Sequence, residues 1–281
     1  MGVAPGAAAS ASVPRAGRSE CPAELGVSAR KNENVIDVDA YLARIGASRA
    51  DSLAALHEAH VRSIAFEDYD IHLGIPIDLD LEALHAKVIQ RRRGGFCYEL
   101  NGLFAALLTE LGHQVVLFSA FSLGPDRTPG PDFTHVLLLV DGEWIADVGN
   151  GASWLRPVPL AVGVHRNGPI EVKVCQDGQM WWTQERAAGK DWETDWGWRP
   201  RARRLAEFVS GCRHHENDPA SSFRARRLAV LPTPGGRIML ENGVFRETGR
   251  PDRTVNDTEE RRLLAERFGL TLPDQAWTND R

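Results

Sequence analysis

The sequence predicts an α+β fold in which a run of helices is followed by a run of strands. Apolar residues recur at helical spacing over residues 34–113, and from there on the pattern changes to the two-residue alternation of strands. The last part of the chain combines strand-like pieces with one charged helix. We therefore expect a helical bundle over 34–113, a strand-rich domain over 114–210 and a smaller α/β domain over 211–281.

Residues 1–33 precede the first periodic segment. They are rich in Ala, Gly, Ser and Pro, and this composition predicts a disordered extension. A translation start placed too far upstream would give the same composition. We expect order to begin near Val35.

Helical periodicity predicts the elements of the first part. Helices are expected at 39–45, 52–61 and 81–90, with an irregular segment at 65–74. A further helix begins at Cys97 and is expected to stop at Gly112. Its apolar residues follow at helical spacing: Leu100, Leu103, Phe104, Leu107, Leu108 and Leu111.

The remainder of the chain carries strand patterns. Strands are expected at 115–121, 135–140, 143–147, 170–174, 180–183, 226–231, 237–240 and 243–247. A helix is expected at 257–268, with Asp257 or Thr258 as its N-cap. The tryptophan-containing tract 191–198 is predicted to be a loop, and the arginine-rich segment 201–204 a solvated helix face.

The overall composition is that of an ordinary globular protein. The net charge of −5 argues against nucleic-acid binding, for which protein surfaces are usually basic. Four cysteines without a C-x-x-C pair indicate a reducing compartment rather than a disulfide scaffold. No apolar run has the length of a membrane span, and the first residues lack the pattern of a secretory signal. We expect a cytoplasmic protein with neither a nucleic-acid nor a membrane partner.

Cys97 lies where a reactive thiol is expected. It opens an amphipathic helix, whose free backbone N–H groups and dipole favour a thiolate, and the three arginines at 91–93 add positive potential. Gly94 and Gly95 would let the backbone approach a substrate closely. A buried structural cysteine would fit the same spacing.

A cysteine nucleophile needs a base, and the base needs an acceptor that orients it. His135 opens the predicted hairpin and Asp147 ends it. If residues 140–142 form a three-residue loop, Leu139 pairs with Glu143 and His135 faces Asp147. Opposed Cβ atoms lie roughly 4.5–5.5 Å apart, which allows an Nδ1–H bond to the carboxylate. A two-residue turn would place the two side chains on opposite faces.

No metal site is expected. The histidines of His57-Glu58-Ala59-His60 are three apart, which does not match H-E-x-x-H, and no third ligand is evident. His214 and His215 beside Cys212 are better explained as a polar loop cluster.

Several motifs together resemble those of the arylamine N-acetyltransferase family. The run Arg93-Gly94-Gly95-Phe96-Cys97-Tyr98-Glu99-Leu100-Asn101 resembles its R-G-G-x-C-x-E-x-N signature, and Phe66-Glu67-Asp68-Tyr69 resembles its P-F-E-N-L stretch. Thr134-His135 and Asp147-Val148-Gly149 are similar to its catalytic histidine and its D-V-G-F-G segment. Pro219-Ala220-Ser221-Ser222-Phe223 is similar to its S-P-x-S-x-F element. The motifs occur in the family's order along most of the chain.

The resemblance implies a three-part fold with a helical N-terminal bundle, a β-barrel middle domain and a small α/β lid. It also implies ping-pong transfer of an acetyl group to an arylamine, arylhydroxylamine or hydrazine. The donor would be acetyl-CoA, a cosubstrate rather than a tightly bound cofactor. Cys97 would be the nucleophile, His135 the base and Asp147 the residue that fixes its tautomer. Substrate-binding positions map to Phe66, Phe133, Thr134 and Asn150, and CoA-binding positions to Gly151, His214, Ala220 and Ser221.

Departures from the family pattern keep alternatives open. Ala65 replaces Pro, Asp68 and Tyr69 replace Asn-Leu, and Asn150 replaces the Phe of D-V-G-F-G. An amide at Asn150 would hydrogen-bond a substrate group and widen the pocket. The main alternative is an amide synthase of ansamycin type, with a larger or carrier-bound acyl thioester and an acyl carrier protein as partner. A thiol hydrolase of papain or transglutaminase type and a non-enzymatic binding module are further alternatives.

Overall fold

The first part of the chain is helical in the computed structural model, which describes residues 36–124, 126–151 and 153–277. Its helices are α1 (Val38–Ile45), α2 (Leu53–Ser63), α3 (Tyr69–Leu73), α4 (Leu81–His85) and α5 (Cys97–Glu110), and a π-helical turn (Ala86–Gln90) extends α4. The four predicted helices are confirmed. The predicted irregular segment 65–74 instead contains α3 and a short strand, β1 (Phe66–Glu67). The predicted extension over 1–33, and Val35, lie outside the described residues.

The middle of the chain forms an eight-stranded antiparallel sheet. Its strands are β2 (Val115–Ser122), β3 (His135–Val140), β4 (Trp144–Ala146), β5 (Val158–Pro159), β6 (Gly163–Asn167), β7 (Ile170–Asp177), β8 (Met180–Ala187) and β9 (Glu193–Arg203). They are ordered β5-β4-β3-β2-β9-β8-β7-β6. The two edge strands, β5 and β6, contact each other, so the sheet is a nearly closed barrel. The predicted β-barrel is confirmed.

Strand β9 corrects two predictions. The tract 191–198 was predicted to be a loop and the segment 201–204 a helix face, and both predictions are wrong. β9 pairs with β2 on one side and with β8 on the other, so its backbone groups are satisfied by two neighbouring strands. Trp198 is fully buried in the barrel core, whereas Trp196 lies two residues earlier on the same strand.

The last part of the chain forms a smaller α/β layer. Its elements are α6 (Val209–Asn217), α7 (Ser222–Ala225), β10 (Leu228–Thr233), β11 (Gly236–Glu241), β12 (Val244–Glu247), β13 (Arg253–Thr254) and α8 (Asp257–Phe268). The N-cap of α8 is Asn256, whose side chain accepts from Glu259 N. The predicted caps Asp257 and Thr258 are therefore wrong.

The small sheet takes one strand from the helical part. Its order is β1-β10-β11-β12-β13, with Phe66 opposite Val230. This pairing places the 65–68 segment beside the last part of the chain, and a separate bridge between Phe66 and Gly95 holds it next to the start of α5. The predicted three-part α+β fold is confirmed, while the boundaries at 113 and 210 stay predictions. Among the described residues, none of the helices has the length and apolar character needed to cross a membrane.

Candidate active site

A cavity of about 380 Å³ opens beside the first turn of α5. Its lining residues come from all three parts of the fold: Phe66, Asp68, Cys97, Ser122, Thr134, His135, Gly149, Asn150, Gly151, Trp196, His215, Ser222, Phe223, Arg226 and Leu228. Six residues predicted from the sequence are among them: Phe66, Cys97, Thr134, His135, Asn150 and Gly151. A cavity of this size accommodates a small aromatic molecule.

Cys97 is a buried free thiol at the first position of α5. Burial raises the pKa of the Cys97 thiol well above its ordinary value, and the Asp147 carboxylate raises it further. A hydrogen bond from the backbone N–H of Tyr98 acts in the opposite direction but is weaker. The helix start lowers this pKa as predicted, but burial outweighs it, and the predicted effect of the upstream arginines does not offset burial. A thiolate at Cys97 therefore needs a neighbouring cation.

Arg93 cannot supply that cation, and Arg91 and Arg92 are exposed on the surface. Arg93 is buried and bonded to two carboxylates, with Nε 3.0 Å from Glu67 Oε1 and Nη2 2.7 Å from Asp70 Oδ1. Lys87 Nζ lies 2.7 Å from both Asp70 Oδ2 and Glu99 Oε1. Arg93 and Lys87 are thus paired with three buried carboxylates, which neutralise their positive charges within this cluster.

Glu99 connects the charged cluster to the start of α5. Its Oε2 accepts a hydrogen bond from the backbone N–H of Phe96, the residue before Cys97, at 3.1 Å. Burial raises the pKa of Glu99 to about 7, although Lys87 lowers it. Glu99 is therefore a structural cap that sets the direction in which α5 begins.

The two glycines before the cysteine allow close packing against neighbouring backbone and side-chain atoms. A Cβ at Gly94 would lie 2.1 Å from Ala65 O, and one at Gly95 would lie 2.8 Å from Glu99 Oε2. The expected close approach is therefore to the 65–67 segment and to Glu99. It is not an approach to a substrate, since neither glycine lines the cavity.

His135 and Asp147 form a buried pair in which His135 lines the cavity and Asp147 lies behind it. His135 Nε2 lies 2.7 Å from Asp147 Oδ2. Because an ionised carboxylate only accepts hydrogen bonds, Nε2 carries the proton and Nδ1 is the basic nitrogen. The prediction that Nδ1–H bonds the carboxylate is wrong. Asp147 itself does not line the cavity.

The hairpin register also differs from the predicted one. Leu139 pairs with Ile145 rather than with Glu143, and the three-residue loop is 141–143 instead of 140–142. The Asp141 carboxylate accepts from Gln114 N at 2.9 Å, which anchors the loop to the α5–β2 connection. The register is shifted by two residues, so His135 and Asp147 still point to the same face of the sheet. Asp147 reaches His135 from just beyond the end of β4.

Asn101 holds Asp147 against α5. Its Nδ2 donates to Asp147 Oδ1 at 2.7 Å and to Val136 O at 2.9 Å, and its Oδ1 accepts from Val148 N at 2.9 Å. Gly149 completes this contact, because a Cβ there would lie 2.7 Å from Cys97 Cα. In the sequence Asn101 is the last residue of the motif around Cys97, and its role in holding Asp147 was not predicted.

His57 supports the same carboxylate segment from α2. Its Nε2 accepts from the backbone N–H of Asp147 at 3.2 Å, and its Nδ1 lies 3.1 Å from Leu155 O. Burial lowers the pKa of His57 to about 4, so the ring is neutral at pH 7. In the part of the chain that the structure describes, no group of three His, Cys, Asp or Glu residues could hold a metal ion.

Trp196 covers the face of the His135 ring. The two rings stack with centroids 4.2 Å apart and planes inclined by 3°. The indole Nε1–H donates to Asn150 Oδ1 at 3.2 Å, so the oxygen expected to meet a substrate is engaged by Trp196. The assignment of 191–198 to a loop hid this residue. The alternation of Trp196, Gly197 and Trp198 was the available signal.

Asp68 is a buried carboxyl on the cavity wall. Its Oδ1 accepts from Leu228 N at 2.7 Å, whereas its Oδ2 has no hydrogen-bond partner among the residues that the structure describes. Burial raises the pKa of Asp68 well above its ordinary value. The sequence registered this position only as a departure from the family's Asn.

Four predicted binding residues do not line the cavity: Phe133, His214, Ala220 and Ser221. The ring of Phe133 packs under the Arg203 guanidinium, 4.6 Å from its centroid. Ser221 caps α7. The histidine that does line the cavity is His215, whose Nε2 lies 3.2 Å from Thr134 O, and sequence reasoning missed it.

Comparison with known proteins gives consistent results. A family model described as N-acetyltransferase matches residues 50–277. An arylamine N-acetyltransferase / N-hydroxyarylamine O-acetyltransferase of Salmonella typhimurium is 33% identical over 241 residues, which are 82% of this chain and 85% of the relative. The solved structure of the Salmonella typhimurium arylamine N-acetyltransferase aligns with a TM-score of 0.77 and 31% identity over 86% of this chain and 94% of that one.

Two further relatives bear on the ligands. The structure of Mycobacterium marinum arylamine N-acetyltransferase in complex with CoA aligns with a TM-score of 0.74 at 29% identity, over 83% of this chain and 93% of that chain. Proansamycin X synthase of Amycolatopsis mediterranei is 28% identical over 252 residues, which are 83% of this chain and 97% of that protein.

Proposed function

The chain belongs to the arylamine N-acetyltransferase family, and from that premise we propose that it transfers an acetyl group from acetyl-CoA to an arylamine, arylhydroxylamine or hydrazine. The observation that carries the proposal is the cavity that Cys97 and His135 share, with Asp147 bonded behind the histidine. The activity named for the Salmonella relative and the CoA complex of the Mycobacterium marinum enzyme support it.

The first half-reaction acylates the cysteine. His135 Nδ1 takes the proton of the Cys97 thiol, and the thiolate sulfur attacks the carbonyl carbon of the thioester. The tetrahedral intermediate expels CoA, which leaves as a thiol after taking the proton back from His135. We expect backbone N–H groups at the start of α5 to stabilise the oxyanion.

The pairing of His135 with Asp147 has two effects on this step. Since burial disfavours a lone Cys97 thiolate, the thiolate forms together with the imidazolium as an ion pair. Asp147 holds the Nε2–H tautomer, so that Nδ1 stays available as the base. Asp147 also stabilises the positive charge that His135 acquires.

The second half-reaction transfers the acetyl group. The amine nitrogen attacks the acyl-cysteine carbonyl and gives a proton to His135, and the C–S bond breaks to return the Cys97 thiolate. The aromatic rings of Phe66, Trp196 and Phe223 on the cavity wall suit a flat acceptor.

An amide synthase reaction is the second candidate, and the similarity to proansamycin X synthase over most of both chains favours it. The acyl donor would then be larger or bound to an acyl carrier protein. The same two half-reactions apply, but the acyl group differs, and with a carrier-bound donor the thiol that leaves is that of the carrier protein. We further propose a cytoplasmic location, because Cys97, Cys175 and Cys212 are free thiols.

Steady-state transfer to one arylamine with a series of donors tests the proposal. The series runs from acetyl-CoA to long-chain acyl-CoA, together with the acyl thioesters of N-acetylcysteamine. We expect acetyl-CoA to have the highest kcat/KM and Cys97→Ser to abolish transfer. A preference for bulky acyl groups would favour the amide synthase, whereas hydrolysis that does not depend on the amine would contradict both.

A further inference from the structure

Trp196 packs against the edge of the barrel core and also lies on the ring of His135. Its indole lies flat on the imidazole with ring centroids 4.2 Å apart and planes 3° apart. Trp198, on the same strand, is buried in the core, whereas Trp196 lines the cavity with His135 and Asn150. The indole therefore covers a face of the histidine that would otherwise border the cavity.

The stack is fixed from a second side. The indole Nε1–H donates to Asn150 Oδ1 at 3.2 Å, and Asn150 lies three residues after Asp147 in the loop that holds the His135 carboxylate partner. A phenyl ring at position 150 has no acceptor for this N–H. The amide at 150 and the tryptophan at 196 therefore act as a pair.

Two consequences follow for the imidazole. It cannot turn about its Cβ–Cγ bond without displacing the indole, so Nδ1 keeps its direction. A protonated ring is also stabilised by the π face beneath it. The titratable groups around His135 include Asp147 on its Nε2, His215 from α6, and Cys97, Asp68 and Arg226, which line the same cavity. Of these, Asp147 is the carboxylate that is hydrogen-bonded to the imidazole.

We propose that Trp196 is a positioning residue that holds His135 aligned and stabilises its protonated form, and that Asn150 holds Trp196 in place. The inference rests on the proposed function, in which His135 accepts the Cys97 proton. In this proposal Asn150 supports His135, the catalytic base, through Trp196, whereas the sequence suggested that Asn150 contacts the substrate.

The rate at which iodoacetamide alkylates Cys97, followed across pH, tests this role. The reagent reports the thiolate–imidazolium pair without any acyl donor, so its result is separate from success or failure of acetyl transfer. In Trp196→Leu we expect a roughly three- to tenfold slower alkylation at neutral pH. We also expect the lost reactivity to return only at higher pH, where the thiol ionises alone.

Matched variants separate stacking from folding. Trp196→Phe keeps a ring over the imidazole and should retain most of the wild-type rate. Asn150→Leu removes the indole acceptor and should fall between wild type and Trp196→Leu. Trp181→Leu, a tryptophan of β8 that does not line the cavity, should leave the profile unchanged and serves as the folding control.

Two results would overturn the proposal, each obtained with variants whose circular dichroism and melting match those of the control. One is a wild-type alkylation profile in both Trp196→Leu and Asn150→Leu. The other is a Trp196→Phe profile as slow as that of Trp196→Leu, because the ring would then contribute nothing by stacking.

Discussion

Asn101 Nδ2 lies 2.7 Å from Asp147 Oδ1, and this bond joins the helix that begins at Cys97 to the loop that carries the carboxylate. The same amide bonds the backbone of Val136, next to His135, and of Val148, next to Asp147. One buried side chain therefore sets the mutual positions of the three residues of the proposed reaction.

Truncation of Asn101 should damage both stability and turnover. Asn101→Ala leaves Val136 O and Val148 N buried without this partner, and the expected loss in the free energy of unfolding is about 2–4 kcal/mol. Urea unfolding measures it, alongside kcat/KM for acetyl transfer. The control is Asn217→Ala, whose exposed amide bonds Arg213 O. Equal losses in the two variants would contradict the role given to Asn101.

Gly149 should tolerate no side chain. A Cβ there would lie 2.7 Å from Cys97 Cα and 2.9 Å from Asn101 Nδ2, so Gly149→Ala must push the Asp147 loop away from α5. We expect kcat/KM to fall by about a hundredfold and the melting temperature to drop. Gly235→Ala is the matched control, since nothing lies within 4 Å of its Cβ position. Unchanged turnover in Gly149→Ala would rule out this close contact as a requirement.

The sequence identified the residues of this site, but it did not predict most of the contacts that they make. Helical spacing placed Cys97 at a helix start, and the hairpin placed His135 near Asp147. The pKa of the thiol could not be predicted, because it depends on burial and on the fact that Arg93 is already paired with Glu67 and Asp70.

His57 should make the fold sensitive to acid. Burial lowers its pKa from 6.5 to about 4, so the unfolded chain binds a proton at a pH where the folded protein does not. The contribution to stability is full above pH 6.5 and is lost as the pH falls towards 4. The loss is about 3 kcal/mol. Urea unfolding between neutral and acidic pH should therefore show a shallower pH dependence in His57→Gln than in wild type. Parallel curves would contradict this assignment.

Asp68 should lower stability at alkaline pH. Its buried Oδ2 has no hydrogen-bond partner within residues 36–124, 126–151 and 153–277, and burial raises its pKa. The folded state therefore resists ionisation, and stability falls as the pH rises through the folded pKa. Asp68→Asn keeps the acceptor for Leu228 N. We expect it to raise the free energy of unfolding by about 1–2 kcal/mol above neutral pH, and by less in acid. A variant that is less stable than wild type at alkaline pH would show that the carboxylate has a partner in solution.

The elements that the sequence missed are those formed by distant pairing. Strand β1 is two residues long and forms because Phe66 lies opposite Val230, a relation that local propensity does not contain. Strand β9 was missed because acidic residues and glycine surround its tryptophans, and pairing with β2 and β8 outweighs that local preference. Long helices such as α5 and α8 were predicted because their periodicity is local.

The central claim is that Cys97 carries the acyl group between the two half-reactions. Intact-mass spectrometry of the full chain, incubated with acetyl-CoA and no amine, measures this directly, and peptide mapping locates the group. Cys212→Ala serves as the control, because Cys212 is the other buried free thiol among the described residues. We predict a mass gain of one acetyl group on Cys97 in wild type and in Cys212→Ala, its absence in Cys97→Ala, and its loss when an arylamine is added. An unchanged mass at saturating acetyl-CoA, or acetylation that persists in Cys97→Ala, would contradict the account.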